Sequence, residues 1–152
     1  MYRAFYQERT VTGPAPLTRR LAAMVYDFLL VLAIYMVVSI VAVVINDGEA
    51  VTGPLYESML FLLAFMFFAY FWTRSGQTLG MTAWRLRVQS VDGGRISWMQ
   101  ALTRFMIAIP SFLLCAAGFF WQFIDPEKLT WYERLSGTRT VELAPENKKN
   151  RK

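Results

Sequence analysis

Two residue types that are costly to bury stand close together near the start of an apolar run. They are Arg20 and Asp27 in RRLAAMVYDFLLVLAIYMVVSIVAVVI, residues 19–45. Behind the two arginines come 25 residues whose single charge is Asp27. In lipid an ionised carboxylate is unfavourable unless it finds a partner, a proton or a water-filled face, and the chemistry open to it is exchange of a proton or cation. The i, i+7 spacing puts Arg20 and Asp27 on one helix face, and Ala23 between them leaves that face open to close approach. Seven residues at about 1.5 Å of rise separate the pair by about 10 Å along the axis, so a third group or water is needed to join them. Arg19 reads as a charge at the lipid interface that helps set orientation.

The elements that position these residues follow from hydropathy. Residues 1–18 mix aromatic, charged and Pro/Gly residues without periodicity and read as an extended cytoplasmic tail, with Thr18 placed to cap the helix behind it. Residues 19–45 form a first transmembrane helix, longer than the apolar core of a signal peptide and so expected to stay as an anchor. NDGEAVTGP, residues 46–54, is an external loop of turn formers, and residues 55–72 are a second span with Tyr70 and Trp72 at its interfacial belt. Residues 73–96 are polar; WRLRVQSV, then DGG, then RIS predict a β-hairpin, framed by a tight approach at Gly76 and Gly80. Ser97 is placed to cap a helix through residues 97–124 that Pro110 and Gly118 interrupt, giving a third span that is kinked or re-entrant. Residues 125–143 hold a C-terminal motif and a strand, TRTVEL, whose available partner is the hairpin; residues 144–152 read as a disordered basic tail.

Arg3, Arg9, Arg19 and Arg20 precede the first span, and Arg74, Arg85, Arg87, Arg95 and Arg104 follow the second, while residues 46–54 hold no Lys or Arg. The N-terminus and central segment are therefore expected in the cytoplasm. The expected fold class is an all-α integral membrane protein: two antiparallel transmembrane helices, a third kinked or re-entrant helical element, and a small cytoplasmic β-hairpin and strand. A strand pairs only on its own side of a membrane, so TRTVEL favours re-entry over a third crossing.

Composition narrows the function classes. With 55% hydrophobic and 18% charged residues the chain is too apolar for an ordinary soluble surface. The net charge of +5 comes from residues flanking apolar runs, not from a basic face interleaved with aromatics, which argues against nucleic acid. A single cysteine, Cys115, excludes an intramolecular disulfide, and the absence of histidine removes the usual metal ligand and general base. No metal, no cofactor and no enzyme activity are expected; Asp125 and Glu133 make a carboxylate pair with nothing to fix their separation.

Arg20 and Asp27 on the first span, GQTLGMTAWRLRVQSVDGG after the second and YERLSGTRTV near the end together resemble the RDD family of bacterial membrane proteins, over residues 17–142. The resemblance implies that Arg20 and Asp27 are the arginine and first aspartate for which that family is named. It also marks Gly76, Gln77, Thr78 and Gly80 as the family's G-Q-T-x-G turn and Gly137 and Thr138 as the end of its late motif. Met81 stands where a lysine is usual, and Tyr132, Glu133 and Ser136 where the family has histidine, aspartate and alanine. The implied setting is the inner membrane of a bacterial cell, multi-pass with the N-terminus cytoplasmic, and the implied activity is transport of an undefined ligand or ion. Two functions are therefore carried forward. In one, a homo-oligomer moves a proton or cation at Asp27, with Arg20 modulating it and Glu133 approaching from the cytoplasm. In the other, the same residues form a polar network in a scaffold or accessory subunit beside a partner membrane protein.

Overall fold

The computed structural model describes residue 5, residues 9–113 and residues 120–145. Its longest element, α1 (Leu17–Ile45), is joined by a turn to α2 (Pro54–Arg74), and both are long and apolar enough to cross a membrane. The 29 residues of α1 extend about 43 Å, more than the roughly 30 Å of a hydrocarbon core. Its first turns are thus free to pack on other elements. Arg20, Ala23 and Asp27 form its buried face, as the i, i+3, i+7 spacing predicts. Phe28, Met36, Val37, Ile40 and Val44 beyond them are exposed, a surface suited to lipid and unfavourable in water.

At the base of α1 lies a three-stranded antiparallel sheet of β1 (Val11–Pro14), β2 (Leu86–Ser90) and β3 (Thr138–Leu143), in the order β1-β3-β2. The central strand β3 pairs Leu143 with Val11 and Val141 with Pro14 on one edge, and Glu142 with Leu86 and Thr138 with Ser90 on the other. Residues 11–14 are therefore part of a sheet and not of an extended tail. Pro14 is tolerated because β1 is an edge strand. Thr18 caps nothing: the N-cap of α1 is Pro16, whose fixed φ of −67° leads directly into the helix.

The hairpin expected over residues 85–97 is corrected to a single strand. Ser90 accepts from the Gly93 amide and donates to the Gly94 carbonyl in a turn, but Arg95–Ser97 do not pair back. One edge of β2 is filled by β3, and on the other the Val88 amide donates to the Gly76 carbonyl at 2.7 Å, so no edge remains for a returning arm. The pairing of TRTVEL with this strand is as expected. Between α2 and β2 lies the short α3 (Leu79–Ala83), absent from the sequence-based outline.

Next comes α4 (Trp98–Leu113), opened by a reciprocal cap: Ser97 Oγ accepts from the Gln100 amide at 3.2 Å and Gln100 Oε1 accepts from the Ser97 amide at 2.9 Å. Pro110 lies inside this helix and does not end it. The break expected at Gly118 falls outside the described residues, as do Cys115 and residues 146–152 of the expected tail. A 3-10 turn at Trp121–Phe123 leads to α5 (Trp131–Ser136), which packs on α4 and runs through Gly137 into β3. Gly137, at φ 62°, supplies the left-handed residue that ends α5. The segment from β2 to β3 therefore leaves the sheet and returns to it.

A polar junction at the base of the first helix

Glu133 is fully buried, and each of its oxygens is committed. Oε2 accepts from Arg20 Nη1 at 2.7 Å and from the Thr130 amide and hydroxyl at 3.0 and 2.9 Å. Oε1 accepts from the Thr140 amide at 2.6 Å and lies 3.9 Å from Arg104 Nη1. Local sequence explains the placement: Thr130 and Glu133 are the two halves of a capping box that opens α5, so Glu133 is held at N3 with its carboxylate turned inward. Burial opposes its charge, but the guanidiniums of Arg20 and Arg104 and the donors of Thr130 and Thr140 outweigh that and hold the carboxyl below the ordinary carboxylate range.

Arg20, only 4% exposed, also donates from Nε to the Ala15 carbonyl at 2.9 Å and from Nη2 to the Thr140 carbonyl at 3.3 Å. One side chain thus joins α1, the residue behind β1, β3 and α5. Arg104, reaching in from α4, donates to the Thr138 and Thr140 hydroxyls at 2.9 and 2.8 Å. Its guanidinium lies 5.2 Å from the Trp72 ring centre and 4.6 Å from that of Tyr132, which spreads the second positive charge over two aromatic faces. Trp72 is therefore a buried wall of this junction and not an interfacial anchor. Arg19 pairs with Glu142 of β3 at 2.6 Å.

Asp27 is held by a different group of residues. Oδ2 accepts from the Thr78 hydroxyl at 2.5 Å and Oδ1 from the Gly80 amide at 3.0 Å, so the carboxylate sits over the first turn of α3. Thr78 in turn accepts from the Met81 amide as the N-cap of α3. Gly80 is needed for contact: a Cβ there would lie 2.9 Å from Asp27 Oδ1 and closer still to the Ala23 carbonyl. At Gly76, φ 73°, a Cβ would lie 2.6 Å from the Val88 carbonyl, and Gln77 Nε2 donates to the Leu86 carbonyl at 2.6 Å. The G-Q-T-x-G turn is thereby fixed to β2 on one side and to α1 on the other.

Arg20 and Asp27 thus share a face of α1 without pairing, and among the described residues Asp27 has no cation within salt-bridge distance. Arg20 and Glu133 are brought together directly. Thr138 joins them through Arg104, and Gly137 positions it. Asp125 pairs with Arg134 and accepts from the Leu129 amide at 3.1 Å, so its carboxylate and that of Glu133 serve separate partners. Sequence reasoning missed Arg104, Thr130 and Thr140. Arg104 carried a usable signal: it is a lone charge between Met99, Leu102 and Met106, the same anomaly that marks Asp27. The two threonines carried none before β3 was placed beside α5.

A family model described as the RDD family matches residues 14–137 of this chain. No curated protein and no solved structure matches it. The matched range contains Arg20, Asp27, the 76–80 turn, Arg104 and Glu133, and ends on Gly137.

Proposed function

The chain belongs to the RDD family, and from that premise we propose a multi-pass membrane protein that moves a proton or cation at Asp27 on a frame locked by Arg20 and Glu133. In this reading α1 and α2 are antiparallel spans, and the sheet, the N-terminus and α5 lie on the cytoplasmic side of the cell membrane. Residues 28–45 alone cover about 27 Å, so the spanning part of α1 begins beside Asp27 and the polar junction occupies the membrane edge. The observation that carries the proposal is the division of partners. Among the described residues Arg20 is consumed by Glu133 and two carbonyls, whereas Asp27 is met by a neutral hydroxyl and an amide, and can change charge without stranding a buried guanidinium. Two spans enclose no pathway by themselves. The proposal therefore requires a homo-oligomer in which another copy completes the route.

The test is flux in proteoliposomes for the wild type and Asp27→Asn. The expected result is loss of proton or cation flux in the variant with insertion retained; undiminished flux, or wild-type flux no greater than that of empty liposomes, would reject the proposal. A second reading, a scaffold or accessory subunit, is favoured by the way Asp27 closes the first turn of α3, a structural use of a carboxylate. Under it Asp27→Asn lowers the unfolding temperature, no flux is seen at any stage, and crosslinkers placed in residues 73–96 capture a defined partner protein.

A further inference from the structure

Resting on the membrane placement above, we propose that α4 is a half-bilayer limb: its exposed apolar stripe is covered by acyl chains of the cytoplasmic leaflet beside α2, and it does not reach the far side. Both ends of the segment containing α4 are tied to one sheet, because β3 pairs with β2 and with β1. Such a segment cannot cross once. Nor does it have the length for two helical crossings: α4 has 16 residues, about 24 Å against a core of roughly 30 Å, and the 34 residues from Ser97 to Thr130 would extend only about 51 Å as helix against about 60 Å for two passes.

The helix is two-faced. Met99, Leu102, Met106 and Ile109, at i, i+3, i+7 and i+10, are 71%, 39%, 49% and 36% exposed, while Ala101, Arg104 and Ser111 on the other side are buried. The stripe continues the lipid-facing surface of α2, since Phe105 packs on Phe61 and Phe65 at 5.5 Å and on Phe68 at 6.1 Å between ring centres, and Phe61 is itself exposed. Those phenylalanines stand about 9–20 Å from the Arg74 end of α2. Phe105 therefore sits well inside the depth spanned by α2, and α4 dips into the leaflet instead of lying flat on it. The inward face keeps Arg104 on Glu133 and away from lipid.

Nitroxide labels test this in the full-length chain with Cys115→Ser, one label each at Met99→Cys, Leu102→Cys, Met106→Cys and Ile109→Cys, in vesicles of phosphatidylcholine and phosphatidylglycerol. Val37→Cys on α1 serves as the lipid reference and Val91→Cys in the turn after β2 as the aqueous one. The expected result is a ratio of oxygen to aqueous nickel accessibility that climbs from Met99 to Ile109 and approaches the Val37 value at Ile109. Three results would overturn it: all four labels as nickel-accessible as Val91; nickel access regained at Ile109, which would put that end of α4 beyond the far side; or spin-spin broadening that vanishes on dilution with unlabelled protein, which would place a second copy on the stripe. Nickel access at Val37 as well would instead reject the membrane placement on which this proposal rests.

Discussion

Glu133 is the residue on which the junction closes, because it is the sole carboxylate within ion-pair distance of either Arg20 or Arg104 among the described residues. Glu133→Gln leaves two guanidiniums buried against a neutral amide. Removing one partner of a buried ion pair costs about 3–5 kcal/mol, so the variant is expected to unfold at a clearly lower temperature in detergent or nanodiscs. Because the folded carboxyl is held below its ordinary value of 4.5, its contribution is fully present above that value and is lost as the pH falls toward the depressed folded one. A pH titration of stability should therefore weaken below about 4.5 in the wild type, with that component absent from Glu133→Gln. Gly80→Ala acts at the other node: its methyl would push on Asp27 Oδ1 and the Ala23 carbonyl, at an expected cost of about 1–3 kcal/mol.

At the level of elements, the caps decide where helices begin, and they can be tested against one another. Thr130→Ala removes both the cap of α5 and a hydrogen bond to Glu133, so its cost should reach about 2 kcal/mol, the upper end for an N-cap. Ser97→Ala should cost about 1 kcal/mol through the start of α4. Thr18→Ala should change stability by less than about 0.5 kcal/mol, since its hydroxyl caps nothing. These expectations also mark what the sequence made legible. The apolar lengths of residues 19–45 and 55–72, the Ser97 cap and the strand at 138–143 were readable because each is a local pattern. The strand at 11–14, the single-stranded fate of residues 85–97 and the short α3 were not, because each rests on a partner far along the chain: β1 pairs with β3 across 127–132 positions, β2 loses one edge to β3 across 48–56, and the first turn of α3 is closed by Asp27 across 51 and 53.

On the scale of the whole molecule, the sheet is what makes the two ends of the chain answer to each other. Arg20 was legible as a residue needing a partner, but the nearest acid in sequence, Asp27, is not the one it finds. The return of the chain through α5 brings Glu133 to the base of α1, and the G-Q-T-x-G turn takes Asp27 instead. Cysteines at Thr12 and Arg139, on neighbouring strands of the sheet, should both react with an impermeant reagent from the same side of a sealed vesicle, the side opposite to a cysteine at Asp47.

Paired double-mutant cycles in nanodiscs, one with Arg20→Met and Glu133→Gln and the other with Arg20→Met and Asp27→Asn, test this arrangement most directly. Coupling of about 1–3 kcal/mol is expected in the first cycle and less than about 0.5 kcal/mol in the second. Strong coupling between Arg20 and Asp27, with none between Arg20 and Glu133, would contradict it.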